Sequence, residues 1–557
     1  MAADPKQLLT RYDQLRNNAL THFSICDEMA PFIAPSRVGI TSQRSPGQRQ
    51  NREVFDSTSL MAAELLAMFI ASYTMNPAQQ WGSNRMRNPA FRNDDAINEW
   101  LEESRDRELA DFSNSLFYAE GPEAMIDWSG FGTGCLLADE IPAGTIGVPT
   151  RGYRGSWFQA KRTGRFVIAD GPDGLVDTLF EEHEVTADVM KRRWGGTPGG
   201  LPENVQRAFD SRKPDQPFKV IHGVYPRADS DRRYAAGAQG MPYASCWVEQ
   251  ESKTLLHESG YPTFPGAVAR YHRTPGEVMG RGRGHLAWPD IWTLNEAKRM
   301  GLMDHALKLQ PPMFMRHDSV IGTLRLVPGG PTVINTHGGS IRDAIMPMDT
   351  GSRPDITNVK EEDLRKSIRQ VFFVEQILGL MEVNKSEMTA FEFAKKLELL
   401  FRLLGPVYGR VQREFLQRIW DNRFEALYSA GVFSPPPPQL FDTDGDIETV
   451  FENPIAKAQR ATDVESLTMA VQDLLPMAQV FPQIWDNYDP DEIVTLVNRT
   501  RGVPAKATRS TQQRDDLRQQ KAQQEAQQRQ LATAAQIAES AGKVAPMLTA
   551  LQGGQAR

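Results

Sequence analysis

A polar turn between two strong helical patterns, within residues 377–419, constrains the fold of this chain more than any other feature. The second pattern begins at Thr389 and Glu392, which have the Thr-x-x-Glu spacing of a capping box. Apolar residues then follow at the i, i+3, i+4 and i+7 positions of one helix face. They are Leu397, Leu400, Phe401 and Leu404, and after an interruption Val407, Val411, Phe415 and Ile419.

The interruption is the dipeptide Gly405-Pro406. Proline lacks a backbone donor and clashes with the preceding helical turn, so we expect a long helix with a bend near Leu404. A long bent helix behind a short polar loop is typical of a scaffold and not of a catalytic site.

The length, charge and cysteine content of the chain limit its functional class. A chain of 557 residues exceeds what one hydrophobic core usually supports, so we expect at least two packed regions. Its formal charge of −7 argues against a simple nucleic-acid binder, which would carry an excess of Lys and Arg. The three cysteines, Cys26, Cys135 and Cys246, form no Cys-x-x-Cys pair, which favours reduced thiols. We expect a soluble cytoplasmic chain without a signal peptide or membrane span.

The pattern along the chain predicts an α+β fold that is mainly helical. Residues 4–30, 51–75 and 93–117 have helical patterns, the last ending before Gly121-Pro122. From about Gly130 short β-type runs follow, with GPDG at 171–174 as a hairpin turn and one short helix near 186–194. Helical patterns return at 454–475 and 489–499, and the tail from Ala505 is either a long helix or disordered.

Two helices of similar length bracket an insert. The first pattern runs from Pro289 to Pro311-Pro312, and the insert follows at 313–357. The second helix begins at Asn358 and Glu361, again with capping-box spacing, and its apolar stripe is Leu364, Ile368, Val371 and Phe372.

No motif predicts catalysis, a cofactor or a metal. The GRGRG run at 280–284 lacks the Gly-Lys-Ser/Thr ending of a P-loop, so we interpret it as a structural turn. The histidines show neither His-x-x-x-His nor His-Glu-x-x-His spacing. Arg281 and Arg283 are candidates for contacts with DNA or with a neighbouring subunit, and an intersubunit salt bridge is the more conservative interpretation.

Several segments, in order along nearly the whole chain, resemble the head-to-tail connector, or portal protein, of short-tailed bacteriophages. They are VMGRGRGHLAWPDIWTLNEAKRMGLMDHALKLQPPMFM (278–315), MTAFEF (388–393), LLGPVYGRVQREFL (403–416), FENPIAKAQRA (451–461) and NYDPDEIVTLVNRTRGVPAKATRSTQQRDDLRQQKAQQ (487–524). Weaker similarity lies at 97–137 and 166–195.

The resemblance implies a portal-protein fold with wing, stem, clip and crown regions, assembled as a ring of usually twelve copies at one capsid vertex. Carried onto this sequence, it divides the chain as follows: N-terminal helical wing 1–135, mostly β wing 136–280, first stem helix 281–310, clip 311–357, second stem helix 358–380, channel loop 381–388, long bent wing helix 389–434, linker and crown helices 435–500, and crown helix or tail 501–557.

The resemblance also places the loop after the second stem helix in the DNA channel. The channel-loop residues are Glu382, Val383, Asn384, Lys385, Ser386 and Glu387. Without the resemblance, this segment would be interpreted as a solvated turn.

The implied function is structural: double-stranded DNA is packaged and ejected through the ring, which docks the large terminase and the tail proteins and nucleates the head with the major capsid and scaffolding proteins. The implied location is the virion, after assembly in the host cytoplasm, with no membrane contact. The alternatives are a tail adaptor or other virion scaffold without a DNA channel and a packaging ATPase or nuclease. The ATPase would need the Gly-Lys-Ser/Thr of a Walker motif, which the sequence lacks.

Overall fold

The computed structural model describes residues 4–552 except 43–46, 93, 142–151, 197–199, 229–236, 310–312, 316–344, 348–353, 382–389, 442–446, 452–453, 479–480, 502, 504–506 and 510. The chain divides into two compact units. Unit 1 is Met1–Gly82, Arg107–Val432 and Phe451–Ile455, and unit 2 is Ser83–Asp106, Phe433–Val450 and Ala456–Arg557.

Most of the described residues are helical. The α-helices are α1 (Pro5–Ile33), α2 (Thr58–Thr74), α3 (Asp95–Ser113), α4 (Phe117–Gly130), α5 (Ala187–Trp194), α6 (Glu203–Asp210), α7 (Arg283–Leu309), α8 (Pro354–Val371), α9 (Val374–Met381), α10 (Ala390–Val411), α11 (Gln417–Ser429), α12 (Pro438–Phe441), α13 (Pro454–Ala478), α14 (Pro490–Arg501) and α15 (Thr511–Gln552). A π-helical segment, Gln412–Leu416, joins α10 to α11.

The strands are β1 (Gly82–Met86), β2 (Thr133–Glu140), β3 (Ser156–Lys161), β4 (Phe166–Asp170), β5 (Val176–Thr186), β6 (Pro217–Pro226), β7 (Tyr243–Glu249), β8 (Thr254–Tyr261), β9 (Gly266–Arg270), β10 (Met313–Met315), β11 (Ile345–Pro347) and β12 (Ile447–Phe451).

The described part of unit 1 holds two larger antiparallel sheets besides the two-stranded pairing of β10 with β11. One has the order β3-β2-β9, and the other follows the chain as β4-β5-β6-β7-β8. The predicted turn at 171–174 closes the β4–β5 hairpin, where the Gly171 N–H donates to the Leu175 carbonyl at 2.7 Å. A second short helix, α6, joins the predicted α5 in the connection between β5 and β6.

The main hydrophobic core of unit 1 collects side chains from α1, α2, α4, the strands and the long α10–α11 segment. The stripe predicted on that segment is buried at Leu400, Leu404, Val407, Val411, Phe415 and Ile419. A smaller cluster lies under α5 and α6, around Met190, Trp194, Val205 and Val220. In the described part of the chain no helix is both long and apolar enough to cross a membrane.

Several predicted helix bounds are wrong. The helix expected up to Gly121-Pro122 instead ends at Ser113, and α4 begins at Phe117 and contains Pro122. At the break, the Ser115 hydroxyl accepts the Phe117 N–H at 3.2 Å and so pairs one of the N–H donors that have no intrahelical partner at the start of α4. Helix α7 begins before Pro289, where its apolar pattern was placed, but it agrees with the first stem helix predicted at 281–310. Helix α8 begins at Pro354 rather than Asn358.

The predicted long helix forms, and it contains an irregularity that the sequence did not predict. The α-helix continues through Gly405-Pro406, and the hydrogen-bond pattern changes at the π-helical segment Gln412–Leu416. There Glu414, Phe415 and Leu416 are all buried. An inserted residue of this kind widens the helix and brings neighbouring side chains to the same side, which favours the burial of all three. The bend expected near Leu404 stays a prediction.

Unit 2 pairs β1 with β12 and contains the C-terminal helices. Helices α13 and α14 match the patterns predicted at 454–475 and 489–499. Of the two predicted forms of the tail, the structure has the helix: α15 extends over 42 residues. At 1.5 Å per residue it is roughly 63 Å long.

Candidate functional site

The two helices that bracket the insert pack against each other in unit 1. Lys298 on α7 contacts the Glu361 carboxylate on α8 at 3.0 Å, and the Ser367 hydroxyl donates to Asp290 at 2.6 Å. Between them, the short strands β10 and β11 pair antiparallel. The structure therefore pairs two short strands within the segment predicted to be the clip.

The second helix of the pair is interrupted just before the predicted channel loop. Helix α8 ends at Val371, and α9 begins at Val374. Phe373, between them, has φ +58°, a left-handed conformation that costs a bulky residue on the order of 1 kcal/mol. The predicted continuous helix at 358–380 is thus two helices with a strained joint.

The channel-loop residues Glu382, Val383, Asn384, Lys385, Ser386 and Glu387 lie outside the described residues. The structure describes the helices on either side of them. Helix α9 ends at Met381 and α10 begins at Ala390. The assignment of these residues to a channel stays a prediction.

The GRGRG run at 280–284 is a site of close backbone approach. A Cβ atom added to Gly282 would lie 2.5 Å from the Gly130 carbonyl oxygen, and one on Gly284 would lie 2.5 Å from the same oxygen. These distances are shorter than any side-chain carbon tolerates, so only glycine fits at either position. The glycines therefore have a packing role, because they place the start of α7 against the end of α4. The sequence predicted a structural turn here, but Arg281 instead forms a β-bridge with His272 and α7 begins at Arg283.

The two arginines of this run have partners within the chain. Arg281 forms a two-pronged ion pair with Glu277, at 2.5 and 2.8 Å. Arg283 donates to the Tyr271 hydroxyl at 2.6 Å, and its guanidinium lies 4.5 Å from the ring centre of Phe373. Arg283 thus supports the strained joint before the channel loop. A contact of either arginine with DNA or another subunit stays a prediction.

The π-helical segment is anchored to the sheets by a buried ion pair that sequence reasoning missed. Arg270, at the end of β9, donates from Nε and one terminal nitrogen to the two Glu414 carboxylate oxygens, at 3.1 and 2.9 Å. Its other terminal nitrogen donates to Asp170 at 2.6 Å. Burial alone would lower the pKa of Arg270, but the two carboxylates outweigh burial and raise it. The long helix is therefore fixed to both sheets of unit 1.

Next to Arg281, two histidines from α1 and α7 face each other. The imidazoles of His22 and His285 stack with ring centres 5.2 Å apart. Burial lowers the pKa of each to about 4, so both rings are neutral at pH 7. Sequence spacing gave no sign of this pair, because the two residues come from distant parts of the chain.

Comparison with known proteins decides the family. The family model for the bacteriophage head-to-tail connecting protein matches residues 5–508. The chain belongs to this family. A probable portal protein of Bordetella phage BPP-1 is 26% identical over 556 residues, covering 98% of this chain and 96% of that protein. The portal protein of Salmonella phage epsilon15 is 25% identical, covering 94% and 92%.

Two solved chains from a gene transfer agent are also similar. One belongs to the neck of the native particle and covers 74% of this chain and 86% of its own length, at 14% identity and a TM-score of 0.30. The other belongs to the virion and covers 82% and 95%, at 14% identity and a TM-score of 0.29. The family assignment does not depend on either.

The family and its whole-length relatives confirm the function predicted from sequence. The chain is a portal subunit, a structural head-to-tail connector of the phage virion and not an enzyme. The alternative of a packaging ATPase or nuclease is thereby set aside.

Proposed function

We propose that the chain forms a closed ring of twelve copies at one capsid vertex, through which double-stranded DNA is packaged and later ejected. The observation that carries this proposal is the apolar surface of α7. Trp292, Met300, Met303 and Leu307 share one helix face at helical spacing, and each is 42–59% exposed in the single chain. Apolar surface of this kind marks a protein interface.

A neighbouring copy is the partner that a ring supplies. A heterologous interface repeats around a rotation axis and closes when the rotation divides the circle, so each copy covers the same face of the next. Charges on and beside this face, such as Glu296 and Arg299, pair with each other at 2.8 Å within the chain. This pairing supports an interface on this face, because neither Glu296 nor Arg299 would be buried there as an unpaired charge.

The α7–α8 pair is proposed as the stem and residues 311–357 as the clip. The ion pair between Lys298 and Glu361 supports the stem, and the pairing of β10 with β11 supports a clip with closed ends. The clip would dock the large terminase during packaging and the tail proteins afterwards. The ring would assemble in the host cytoplasm and nucleate the head with the major capsid and scaffolding proteins, without contact to a membrane.

The loop 382–387 is proposed to line the channel. It contains one lysine, Lys385, between Glu382 and Glu387. DNA affinity grows with the number of phosphates that a protein neutralises, so a strongly basic channel would hold the duplex in place. A ring of mixed charge repels and attracts the phosphates in turn and lets the duplex move.

Substitution of Lys385 tests this role. Lys385→Glu should leave ring assembly intact but change DNA packaging or retention, and the salt dependence of either. The matched control is Lys253→Glu, which makes the same charge change in the exposed turn between β7 and β8. Packaging and salt dependence that are unchanged in Lys385→Glu would show that the loop does not contact DNA.

A further inference from the structure

Three metal-ligating side chains of unit 1 meet where α1 passes the start of α7. His22 and Cys26 are one turn apart on the same face of α1, and His285 lies in the first turn of α7. Their ligand atoms all lie within 4.8 Å of one another. The His22 Nε2 and Cys26 Sγ atoms are 3.4 Å apart.

The packing of α7 fixes this arrangement. Gly284, next to His285, has room for no Cβ atom, because one would lie 2.5 Å from the Gly130 carbonyl oxygen of α4 and 2.5 Å from the Cδ1 atom of Ile33 on α1. The backbone at the start of α7 therefore lies in close contact with α4 and with the Ile33 side chain of α1. His285 is held against the face that carries His22 and Cys26.

His285 makes no hydrogen bond that would compete with a metal. Both of its ring nitrogens are buried and have no hydrogen-bond partner among the described residues. A buried imidazole with neither nitrogen paired is costly, and such groups in a native protein need an explanation such as an ion. A metal ion bound to one of these nitrogens would supply the missing partner.

The geometry suits tetrahedral zinc. Zinc–sulfur and zinc–nitrogen bonds of about 2.3 and 2.05 Å, at a tetrahedral angle, place the two ligand atoms about 3.6 Å apart. The 3.4 Å between Cys26 and His22 is close to that value. The same bond lengths require two nitrogens about 3.3 Å apart, which a rotation of the His285 ring can reach from within 4.8 Å.

We propose that His22, Cys26 and His285 bind one Zn²⁺ ion that links α1 to α7. Two imidazoles and a thiolate select zinc over Mg²⁺ and Ca²⁺, which prefer oxygen ligands. On binding, the Cys26 S–H bond breaks, the proton leaves to solvent, and the sulfur–zinc bond forms with no change of oxidation state. Water takes the fourth position.

The second cluster of this kind in unit 1 is less suited to a metal. Glu181, His183 and His222 also lie together, but the Lys161 ammonium already contacts the Glu181 carboxylate at 2.8 Å. His222 is in addition hydrogen-bonded to Ser245 at 2.9 Å. The Lys161 ammonium therefore already neutralises the carboxylate that a metal would need, although Glu181 Oε1 and His222 Nδ1 have no hydrogen-bond partner among the described residues.

The test uses the full chain, purified without a histidine tag and measured by elemental analysis after dialysis. We expect one zinc per chain, and in the metal-free protein a rise in Tm on adding Zn²⁺ but not Mg²⁺. Replacement by Co²⁺ should give a thiolate-to-cobalt absorption band in the near ultraviolet. Cys26→Ser should abolish that band, and His285→Gln should abolish stoichiometric zinc.

Cys246→Ser is the matched control, because Cys246 is also buried but lies on β7, where its sulfur contacts the Tyr225 hydroxyl. It should keep both the zinc and the band. A wild-type chain that binds neither Zn²⁺ nor Co²⁺, or that shows no thiolate band with Co²⁺, would overturn the proposal. So would zinc that dialysis removes without a change in Tm, or a band that survives Cys26→Ser. If a variant fails to fold, the zinc content, the Tm and the cobalt spectrum of the wild-type chain still test the proposal.

Discussion

The Arg270–Glu414 pair provides the sharpest test of how the long helix is held. Glu414→Gln keeps the shape of the side chain but removes its charge. The Arg270 guanidinium is wholly buried and donates to both Glu414 oxygens. A glutamine can accept one of these hydrogen bonds, but its amide nitrogen would face a second donor. One buried donor of Arg270 would then have no partner.

The expected loss of stability follows from these contacts. Removing one partner of a buried ion pair usually costs about 3–5 kcal/mol, because the remaining charge stays buried without compensation. Here Asp170 still contacts Arg270 at 2.6 Å, and the glutamine retains one acceptor. We therefore expect a loss at the low end of the range, about 3 kcal/mol.

The assay is urea unfolding of the full chain, followed by tryptophan fluorescence, since Trp420 lies in the helix that follows the π-helical segment. With an m-value of about 3 kcal/mol/M, a loss of about 3 kcal/mol lowers the midpoint by about 1 M. The matched control is Glu203→Gln, which breaks an Arg207–Glu203 pair of 2.7 Å in which the Glu203 side chain is 87% exposed. Exposed pairs of this kind contribute little, so the control should unfold like the wild type.

Equal midpoints for Glu414→Gln and Glu203→Gln would refute the reasoning. They would mean that Asp170 alone satisfies the buried guanidinium. A large loss in Glu414→Gln with no loss in the control would show that burial, and not ion pairing as such, decides the cost.

Three further predictions concern unit 1. Gly284→Ala should lower the free energy of unfolding by about 2 kcal/mol, because the added Cβ overlaps with the backbone. Gly301→Ala, in an open position of the same helix, should raise it by about 0.5–1 kcal/mol. Equal effects of the two substitutions on the urea midpoint would contradict the packing role of Gly284. Arg283→Lys should lower the free energy of unfolding by about 1 kcal/mol, because the ammonium cannot stack flat on the aromatic rings that Arg283 contacts. Arg281→Lys, which changes an exposed ion pair, should unfold like the wild type. A larger loss of stability in Arg281→Lys than in Arg283→Lys would show that Arg283 does not support the joint at Phe373. Burial lowers the pKa of His222 to about 3, so the unfolded chain takes up the proton first as the pH falls. The free energy of unfolding should therefore decrease, as the pH is lowered from about 6.5 to 3, by on the order of 1 kcal/mol per pH unit. This part of the pH dependence should be absent in His222→Gln, and an unchanged slope would assign it to other groups.

The sequence predicted those parts of the fold that local pattern determines. Six residues of the apolar stripe predicted for the α10–α11 segment are buried as expected, because a period of 3.6 residues places those side chains on one face. The side chains of Leu397 and Phe401 lie outside the described part of the structure. The GPDG hairpin was also predictable, since its turn residues suit the positive φ of Gly174.

The features of the candidate site that the sequence did not predict depend largely on residues far apart in sequence, whereas the helix break near Ser115 is local. The joint at Phe373 contains neither glycine nor proline, the residues from which a helix break is usually predicted. Glu414 lies in a helix whose partner, Arg270, comes from a distant strand. The cluster of His22, Cys26 and His285 forms only when α1 and α7 meet.

A reconstruction of the purified protein by electron cryomicroscopy tests the central claim most directly. We predict a closed ring of twelve copies with an axial channel wide enough for a DNA duplex. In this ring the exposed face of α7 should lie against the neighbouring copy, and residues 382–387 should line the channel. Monomers, open filaments, or a ring in which that loop faces away from the axis would contradict the account.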